Sequence, residues 1–171
     1  MSPDARPVPV QRLNHAVLYV RDLDRSLEFY RKAFGFVEIA REGGMMAFLR
    51  ASGSDNHHDL ALMSVGAGAP QPPRGSVGLY HLAWQVPAIE DLAAAMATLS
   101  ELDALTGMSD HGATKSLYGK DPDGIEFEVM WMVPREEWGE HETRAVVKPL
   151  DMERELARFG GRQAPVPGDQ Q

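Results

Sequence analysis

The stretch that decides the fold is DHGATKSLYGKDPDGIEFE, residues 110–128. It predicts a strand that ends near Tyr118, a tight turn at residues 121–124 and a second strand that runs through Trp131. Proline presets φ for such a turn, and glycine accepts a positive φ. After the turn, apolar residues alternate with Glu126 and Glu128, which predicts a strand with two unlike faces. A carboxylate in that strand is either solvated on an outer face or held inside by a cation.

The composition is that of a globular protein. The chain has 171 residues, of which 43% are hydrophobic, enough for one domain or for two small units that share a core. No apolar run approaches the roughly 20 residues that span a bilayer, and the N-terminus lacks the apolar core of a signal peptide. We therefore expect a cytoplasmic protein with no membrane partner. The absence of cysteine excludes disulfides and thiolate metal ligands.

The net charge argues against one class of partner. A formal charge of −8 is unfavourable for nucleic-acid binding, which needs a positive surface. We therefore expect no nucleic-acid partner.

The order of predicted elements repeats along the chain. The first set of elements is a strand at residues 13–20, a helix from Asp22 or Asp24 to Phe34 and three short strands. The same order then begins again with a strand at residues 79–86, a helix at residues 89–102 and further strands. The predicted organisation is a loose lead-in (1–11), a first βαβββ unit (12–66), a linker (67–77), a second βαβββ unit (78–133) and a polar tail (134–171) with a possible helix at 149–159 and a disordered end.

Two histidines occupy matching places in this repeat. A constant shift of 66 residues pairs His15 with His81 and Val20 with Val86. We therefore predict an α+β fold in which two tandem βαβββ units form one paired domain, with a cupped mixed sheet around a central metal cavity. If the units pack with approximate twofold symmetry, the two imidazoles converge on that cavity.

Two imidazoles and one carboxylate form the ligand set of a facial-triad metal site, which leaves positions open for substrate and oxygen. Glu128 is the preferred carboxylate, although Glu126 lies on the same strand face and periodicity does not separate the two. The alternative for each histidine is a hydrogen-bonded residue at the edge of the core, since histidine is often half-buried.

These residues resemble the vicinal oxygen chelate superfamily, whose members build a metal site from paired βαβββ units. The resemblance covers residues 12–132 and rests on Asn14-His15 and on residues 80–83. Within the superfamily, the signature of extradiol ring-cleaving dioxygenases is matched by His111, Leu117-Tyr118, residues 121–124 and Glu128, and residues 56–61 resemble the segment that holds the acid–base histidine.

The resemblance implies a ligand set and a reaction. His15, His81 and Glu128 would bind Fe(II), with Mn(II) as the alternative metal, and Glu128 is selected over Glu126. The implied reaction is chelation of a catecholate, followed by insertion of oxygen next to the diol carbons. The partners would be a small aromatic diol and O2, and analogy within the superfamily suggests a homodimer or a higher homo-oligomer.

The resemblance also implies roles for three further residues. His58 would be the acid–base residue, while His111 and Tyr118 would hydrogen-bond the substrate. Without the resemblance, His57-His58 would be interpreted as solvated turn residues. The chain departs from the signature at Ser109 and Ile125, and it contains one pair of units where many such enzymes have two.

Other activities share this scaffold. Glyoxalase I uses four protein ligands, which would require a second carboxylate at the position in the first unit that is equivalent to Glu128. The shift of 66 residues places Leu62 there, and leucine does not bind metal. A fosfomycin-type thiol transferase would use two histidines and one glutamate, yet it leaves His58, His111 and Tyr118 without a role. A bleomycin-resistance-type protein would bind a small molecule in the cavity without metal.

Overall fold

The computed structural model describes residues 7–73 and 75–162, in which two units of the same element order precede a tail. The first unit comprises β1 (Ala16–Val20), α1 (Leu23–Phe34), β2 (Val37–Glu42), β3 (Met46–Arg50) and β4 (Leu60–Ser64). The second comprises β5 (Leu82–Gln85), α2 (Ile89–Glu101), β6 (Leu105–Asp110), β7 (Thr114–Lys120) and β8 (Glu126–Met132). Two short 3-10 helices and α3 (Met152–Phe159) follow.

Each unit folds its strands into a four-stranded mixed sheet with the same order. The first sheet has the order β1-β4-β3-β2 and the second the order β5-β8-β7-β6. In both, the first and last strands of the unit are parallel neighbours, and the other pairs are antiparallel. The α+β class and the βαβββ repeat are therefore confirmed, with the eight strands divided between two sheets.

The ends of the first helix follow from local side-chain chemistry. Asp22 caps α1, because its side chain accepts a hydrogen bond from the backbone N–H of Arg25 at 3.0 Å. Gly35 ends the helix with a φ of 66°, a left-handed conformation that suits glycine. Both ends agree with the prediction.

The turn between β7 and β8 is held by a buried aspartate. Asp121 Oδ1 accepts hydrogen bonds from the backbone N–H groups of Asp123 at 2.9 Å and Ile125 at 2.8 Å. Gly124 has a φ of 80°. Because the turn fixes the register of β8, it also fixes which residues of that strand face the core.

The strands β1 and β5 begin later than predicted. They start at Ala16 and Leu82, so His15 and His81 lie directly before the strands instead of inside them. The reason is the extent of the partner strands, since Ala16 pairs with Leu60, the first residue of β4, and Leu82 pairs with Phe127 near the start of β8. The two histidines still occupy equivalent places.

One hydrophobic core joins the two units. The helix α1 packs on its own sheet, and its Phe34 ring also lies 6.2 Å from that of Trp84 and 5.1 Å from that of Phe127 in the second unit. Two polar contacts add to this junction: the Tyr30 hydroxyl donates to Asp121 at 3.1 Å, and Arg21 pairs with Asp123 at 3.1 Å. The helices therefore cover one face of each sheet and leave the other face of each sheet open.

The tail packs against the second unit. Lys148 forms an antiparallel bridge with Asp110, and the Phe159 ring packs 5.1 Å from that of Trp131. Buried Lys115 pairs with Asp110 at 2.5 Å and with Glu155 of α3 at 3.4 Å. The helix predicted at 149–159 begins at Met152, because Asp151 caps it. The predicted disordered end lies largely outside the described residues, as do residues 1–6 of the lead-in.

None of the helices in the described part of the chain combines the length and the apolar character needed to cross a bilayer.

Candidate active site

The open face of the second sheet brings together one predicted imidazole and one predicted carboxylate. In β8, Phe127, Val129 and Trp131 are buried in the core, so the alternate residue Glu128 faces the open side. Glu128 pairs in register with Ala83 on β5, two residues beyond His81. As a result, His81 Nε2 lies 3.0 Å from Glu128 Oε2.

This pair fits a divalent metal ion. Two donors about 2.1 Å from one ion and at a right angle to each other lie about 3 Å apart, which is the observed spacing of the two side-chain atoms. Both side chains are largely shielded, with exposures of 24% for His81 and 13% for Glu128. His81 Nδ1 is also buried and has no hydrogen-bond partner among the residues that the structure describes.

The two glutamates of β8 have different neighbours. Glu126 lies near the Tyr80 hydroxyl, and its interaction with that hydroxyl raises the pKa of Tyr80 above its usual value. Glu128 contacts His81 instead. The structure therefore separates the two carboxylates that periodicity left equivalent.

The first unit has no carboxylate at the corresponding place. Val17 on β1 corresponds to Ala83 on β5, and it pairs with Ala61, whereas Ala83 pairs with Glu128. The structural counterpart of Glu128 is thus Ala61, one residue before the Leu62 that the constant shift gives. Alanine, like leucine, offers no ligand atom, so the argument against a four-ligand site is unchanged.

Tyr118 and His111 form a hydrogen-bonded pair beside Glu128. Tyr118 is the register partner of Glu128, and its hydroxyl lies 2.7 Å from His111 Nε2. His111 Nδ1 lies 3.0 Å from the Val146 carbonyl, which only accepts, so Nδ1 carries the proton and Nε2 accepts from Tyr118. Burial, followed by the negative charge of Glu128, raises the pKa of Tyr118. Because the Tyr118 hydroxyl donates to His111, the lone pairs of its oxygen remain available to accept a hydrogen bond from another donor.

His15 and His58 lie together on the first unit. Their ring centroids are 4.4 Å apart, and Phe48 packs on the other side of His58 at 5.1 Å. His15 Nδ1 donates to the side-chain oxygen of Asn14 at 2.8 Å, because an amide oxygen only accepts. This contact leaves His15 Nε2 with a free lone pair on an exposed side chain.

The environment of His58 favours the neutral ring. Burial lowers the pKa of His58, and the neighbouring rings of His15 and His57 lower it further, while Asp59 acts in the opposite direction. A neutral imidazole is the form that accepts a proton.

The predicted site residues thus form two groups. One group, on the second unit, contains His81, Glu128, Tyr118 and His111, and the other, on the first unit, contains His15 and His58. Among the described residues, no set of three or more His, Asp or Glu side chains is placed to hold one metal ion. His81 and Glu128 fit two positions of the predicted triad, and within this chain His15 does not supply the third.

Two contributors to the two groups, His141 and Asn56, were not predicted from the sequence. His141 of the tail packs on Gly112, next to His111, in a cleft of about 370 Å³. Asn56 donates to the Asn14 carbonyl at 2.7 Å and accepts from its side chain at 2.9 Å, which braces the loop before β1. The only sequence signal for the His141 contact is His111-Gly112, because glycine often marks a close approach of another group.

The chain belongs to the Glyoxalase/Bleomycin resistance protein/Dioxygenase superfamily, whose sequence model matches residues 12–129. Catechol-2,3-dioxygenase of Bacillus subtilis (strain 168) is 34% identical over 126 residues, which are 74% of this chain and 43% of that protein. Biphenyl-2,3-diol 1,2-dioxygenase 3 of Rhodococcus globerulus is 33% identical over 115 residues, 66% of this chain and 59% of that protein. The chain thus spans about half the length of these two curated relatives.

Among solved structures, a glyoxylase/bleomycin resistance protein/dioxygenase domain from Frankia sp. EAN1pec superposes with a TM-score of 0.62 at 25% identity. The match covers 72% of this chain and 93% of the Frankia domain. The predicted superfamily is confirmed, and its curated relatives include enzymes named as dioxygenases.

Proposed function

We propose that this chain is an extradiol-type dioxygenase that cleaves the ring of a small catecholic compound with O2, using Fe(II) or Mn(II). The observation that carries the proposal is the open face of the second sheet, where the His81–Glu128 pair lies beside the hydrogen-bonded Tyr118–His111 pair. Relatives named catechol-2,3-dioxygenase and biphenyl-2,3-diol 1,2-dioxygenase support the reaction class.

His81 and Glu128 would hold the metal, and His15 is the proposed third ligand. When bound, the metal would bring the diol and O2 together, so that much of the barrier is overcome by proximity. The donor set of imidazole and carboxylate suits divalent iron and manganese.

Tyr118 and His111 would accept a proton from the diol. The Tyr118 hydroxyl donates to His111 Nε2 and keeps its oxygen lone pairs free, so a diol hydroxyl can donate to that oxygen. As the diol loses its proton to Tyr118, the phenol proton can pass to His111 Nε2. The Val146 carbonyl, which accepts from Nδ1, then stabilises the resulting imidazolium.

His58 would act as the acid–base residue of ring cleavage. Its pKa is lowered by burial and by its neighbouring imidazoles, so it remains neutral near pH 7 and can accept a proton. His58 lies beside His15, so a substrate held by a metal on His15 would lie within reach of His58.

The test is O2 uptake by anaerobically Fe(II)-loaded protein given a panel of catechols, with the ring-cleaved product followed by its visible absorbance. We expect stoichiometric uptake and a coloured product, loss of both in His58→Ala, and retention of both in the matched neighbour variant His57→Gln. Firm metal binding without uptake for any catechol would contradict ring cleavage. Protein that binds neither metal nor O2 would instead support a metal-free binding protein.

A further inference from the structure

We propose that residues 133–148, which we call the strap, select the tautomer of His111, and that His141 is the positioning residue that holds the strap in place. This inference rests on the proposed role of His111 as a proton acceptor and adds what decides the direction of proton transfer. The strap lies outside residues 12–129, which the superfamily model matches. Its part in the site therefore does not follow from membership of the superfamily.

The strap is attached at both ends to the turn that carries His111. At its start, the backbone N–H of Val133 donates to the Ala113 carbonyl at 3.0 Å. At its end, Lys148 and Asp110 exchange two backbone hydrogen bonds of 2.9 and 2.8 Å. The strap therefore encloses the turn between β6 and β7, and a movement of the strap would change the surroundings of His111.

The His141 ring lies inside this enclosure, against Gly112 of the turn. Gly112 has a φ of 78°, and a Cβ at this position would collide with the His141 ring. The backbone N–H of His141 donates to the Trp138 carbonyl at 2.8 Å, and the Trp138 indole N–H donates to the Val133 carbonyl at 2.7 Å. The strap thus holds the ring from one side, and the ring packs on the turn with the other.

The shape of the His141 ring, rather than a hydrogen bond from Nδ1, accounts for this contact. That nitrogen is buried and finds no hydrogen-bond partner within residues 7–73 and 75–162. Burial of a polar atom without a partner is unfavourable, so Nδ1 does not stabilise the contact. We therefore expect a phenyl ring to replace the imidazole without loss, whereas a methyl group would leave the space over Gly112 empty.

Two ion pairs within the strap do not attach it to the turn. Arg135 pairs with Glu142, and Arg144 pairs with Glu140 at 3.0 Å. All four side chains are exposed to solvent, where ion pairs contribute little. Neither pair includes a residue of the turn, so the packing of His141 and the backbone hydrogen bonds attach the strap to it.

The strap also supplies the group that decides the tautomer. The Val146 carbonyl lies 3.0 Å from His111 Nδ1 and keeps the proton on that nitrogen, so Nε2 accepts from the Tyr118 hydroxyl. Without this carbonyl, Nε2 could carry the proton and donate to the Tyr118 oxygen instead. The hydrogen bond would then be reversed, and Nε2 could not receive the proton that Tyr118 gives up. The strap therefore sets the direction of proton transfer from the diol.

The test is the tautomer of His111, read by NMR from the chemical shifts of its ring nitrogens in the full chain without paramagnetic metal. The variant His111→Gln identifies these signals among those of the six histidines. We expect a protonated Nδ1 in the wild type and in His141→Phe, and a loss of at least about half of this tautomer in His141→Ala. The control Arg144→Gln changes a side chain of the same cleft and should keep the wild-type tautomer. An unchanged tautomer in His141→Ala, or a protonated Nε2 in the wild type, would overturn the inference.

A second variant covers the case in which His141→Ala does not fold. Trp138→Phe removes the indole hydrogen bond to Val133 and loosens the strap without a change in the turn. We expect a smaller loss of the same tautomer. If His141→Ala is unfolded, full retention of the wild-type tautomer in Trp138→Phe would overturn the inference.

Kinetics distinguishes a positioning role from a merely structural one. In Fe(II)-loaded protein, His141→Ala should lower kcat/KM for a catechol by about tenfold, less than the loss of an acid–base group itself, and His141→Phe should retain the wild-type value. A changed tautomer with an unchanged kcat/KM would overturn the link to proton transfer.

The inference and the proposed reaction fail separately. A changed tautomer in His141→Ala, without ring cleavage of any catechol by the wild type, would support the strap and contradict the dioxygenase. Ring cleavage by the wild type, with an unchanged tautomer in His141→Ala, would do the reverse.

Discussion

The two βαβββ units share one topology but hold their functional side chains in different ways. In the second unit, His81, Glu128, Tyr118 and His111 are already in contact, and the tail packs behind them through Val146 and Lys148. Within residues 7–73 and 75–162, the first unit has no such support from the tail, and its His15 is exposed. The comparison teaches that equal topology does not by itself organise a site, because the neighbours of each side chain differ between the two units.

The largest expected effect is on metal affinity and tests which glutamate of the second unit is the metal ligand. Glu128→Gln keeps the size of the side chain but removes its charge, so we expect Mn(II) affinity to fall by more than about 100-fold, beyond the losses typical of residues that merely orient a ligand. Glu126→Gln is the matched control, because Glu126 lies on the same strand face but acts on the pKa of Tyr80 and is not paired with His81. Titration calorimetry measures both. Equal losses in the two variants would mean that the distinction between the glutamates is wrong.

The next effect concerns the support of the second unit by the tail. Asp110→Asn removes a carboxylate that pairs with buried Lys115, and Glu155 remains as a second partner for that lysine. We expect a loss of about 2 kcal/mol in the free energy of unfolding, less than for a fully uncompensated buried charge. Asp24→Asn removes the exposed pair with Arg41 in the first unit and should cost less than about 1 kcal/mol. Urea denaturation compares the two variants.

The effect of Asp110→Asn should also depend on pH. Burial alone would raise the pKa of Asp110, but the hydrogen bonds from Lys115 and Gly112 outweigh it and leave the pKa below the usual 3.8. A lowered pKa in the folded state contributes stability above the unfolded value, and that contribution is lost as the pH falls through the folded value. The difference between wild type and variant should therefore be full at neutral pH and shrink below about pH 3.8. A difference that grows in acid would contradict the assignment.

A comparable effect on stability is expected from two glycines with positive φ, one in each unit. A Cβ at Gly112 would lie 2.3 Å from the His141 ring, whereas a Cβ at Gly35 would meet nothing within 4 Å. We expect Gly35→Ala to cost about 1 kcal/mol from backbone strain alone and Gly112→Ala to cost about 2–3 kcal/mol, since it also displaces His141. Thermal denaturation measures the difference. Equal costs would mean that the contact between the tail and the second unit contributes little.

Much of the fold could be predicted from the sequence, because the signals were local. The Asp-Pro-Asp-Gly turn, the alternation in β8 and the caps Asp22 and Gly35 depend on residues a few positions apart. The sequence also predicted correctly that His15 and His81 occupy equivalent places in the two units. The chain pattern did not reveal that Glu128 aligns with Ala61, because register depends on the pairing of strands that are distant in sequence.

The candidate site was harder to predict, because it depends on how the two units pack. The shift of 66 residues predicted equivalent places for His15 and His81, and periodicity predicted a strand face for Glu128. Where those side chains point depends on the junction of Phe34 with Trp84 and Phe127. The contact of His141 with Gly112 joins the tail to the sheet and has no local signature. Contacts of this kind are decided by tertiary packing.

The smallest expected effect tests whether the acid–base residue lies in the first unit. Protonation of His58 removes the base, so the acid limb of the kcat/KM profile follows the pKa of His58. Because that pKa is lowered from the usual histidine value of 6.5, we expect the acid limb below pH 6.5. His57→Gln removes one neighbouring ring that lowers this pKa, so the pKa should rise and the acid limb should move to higher pH while the plateau rate is unchanged. Stopped-flow kinetics across the acid range measures the limb. The contrary outcome is an acid limb that does not move in His57→Gln but shifts in Tyr118→Phe, which alters the environment of His111. The acid–base residue would then belong to the second unit, and the first unit would contribute only His15.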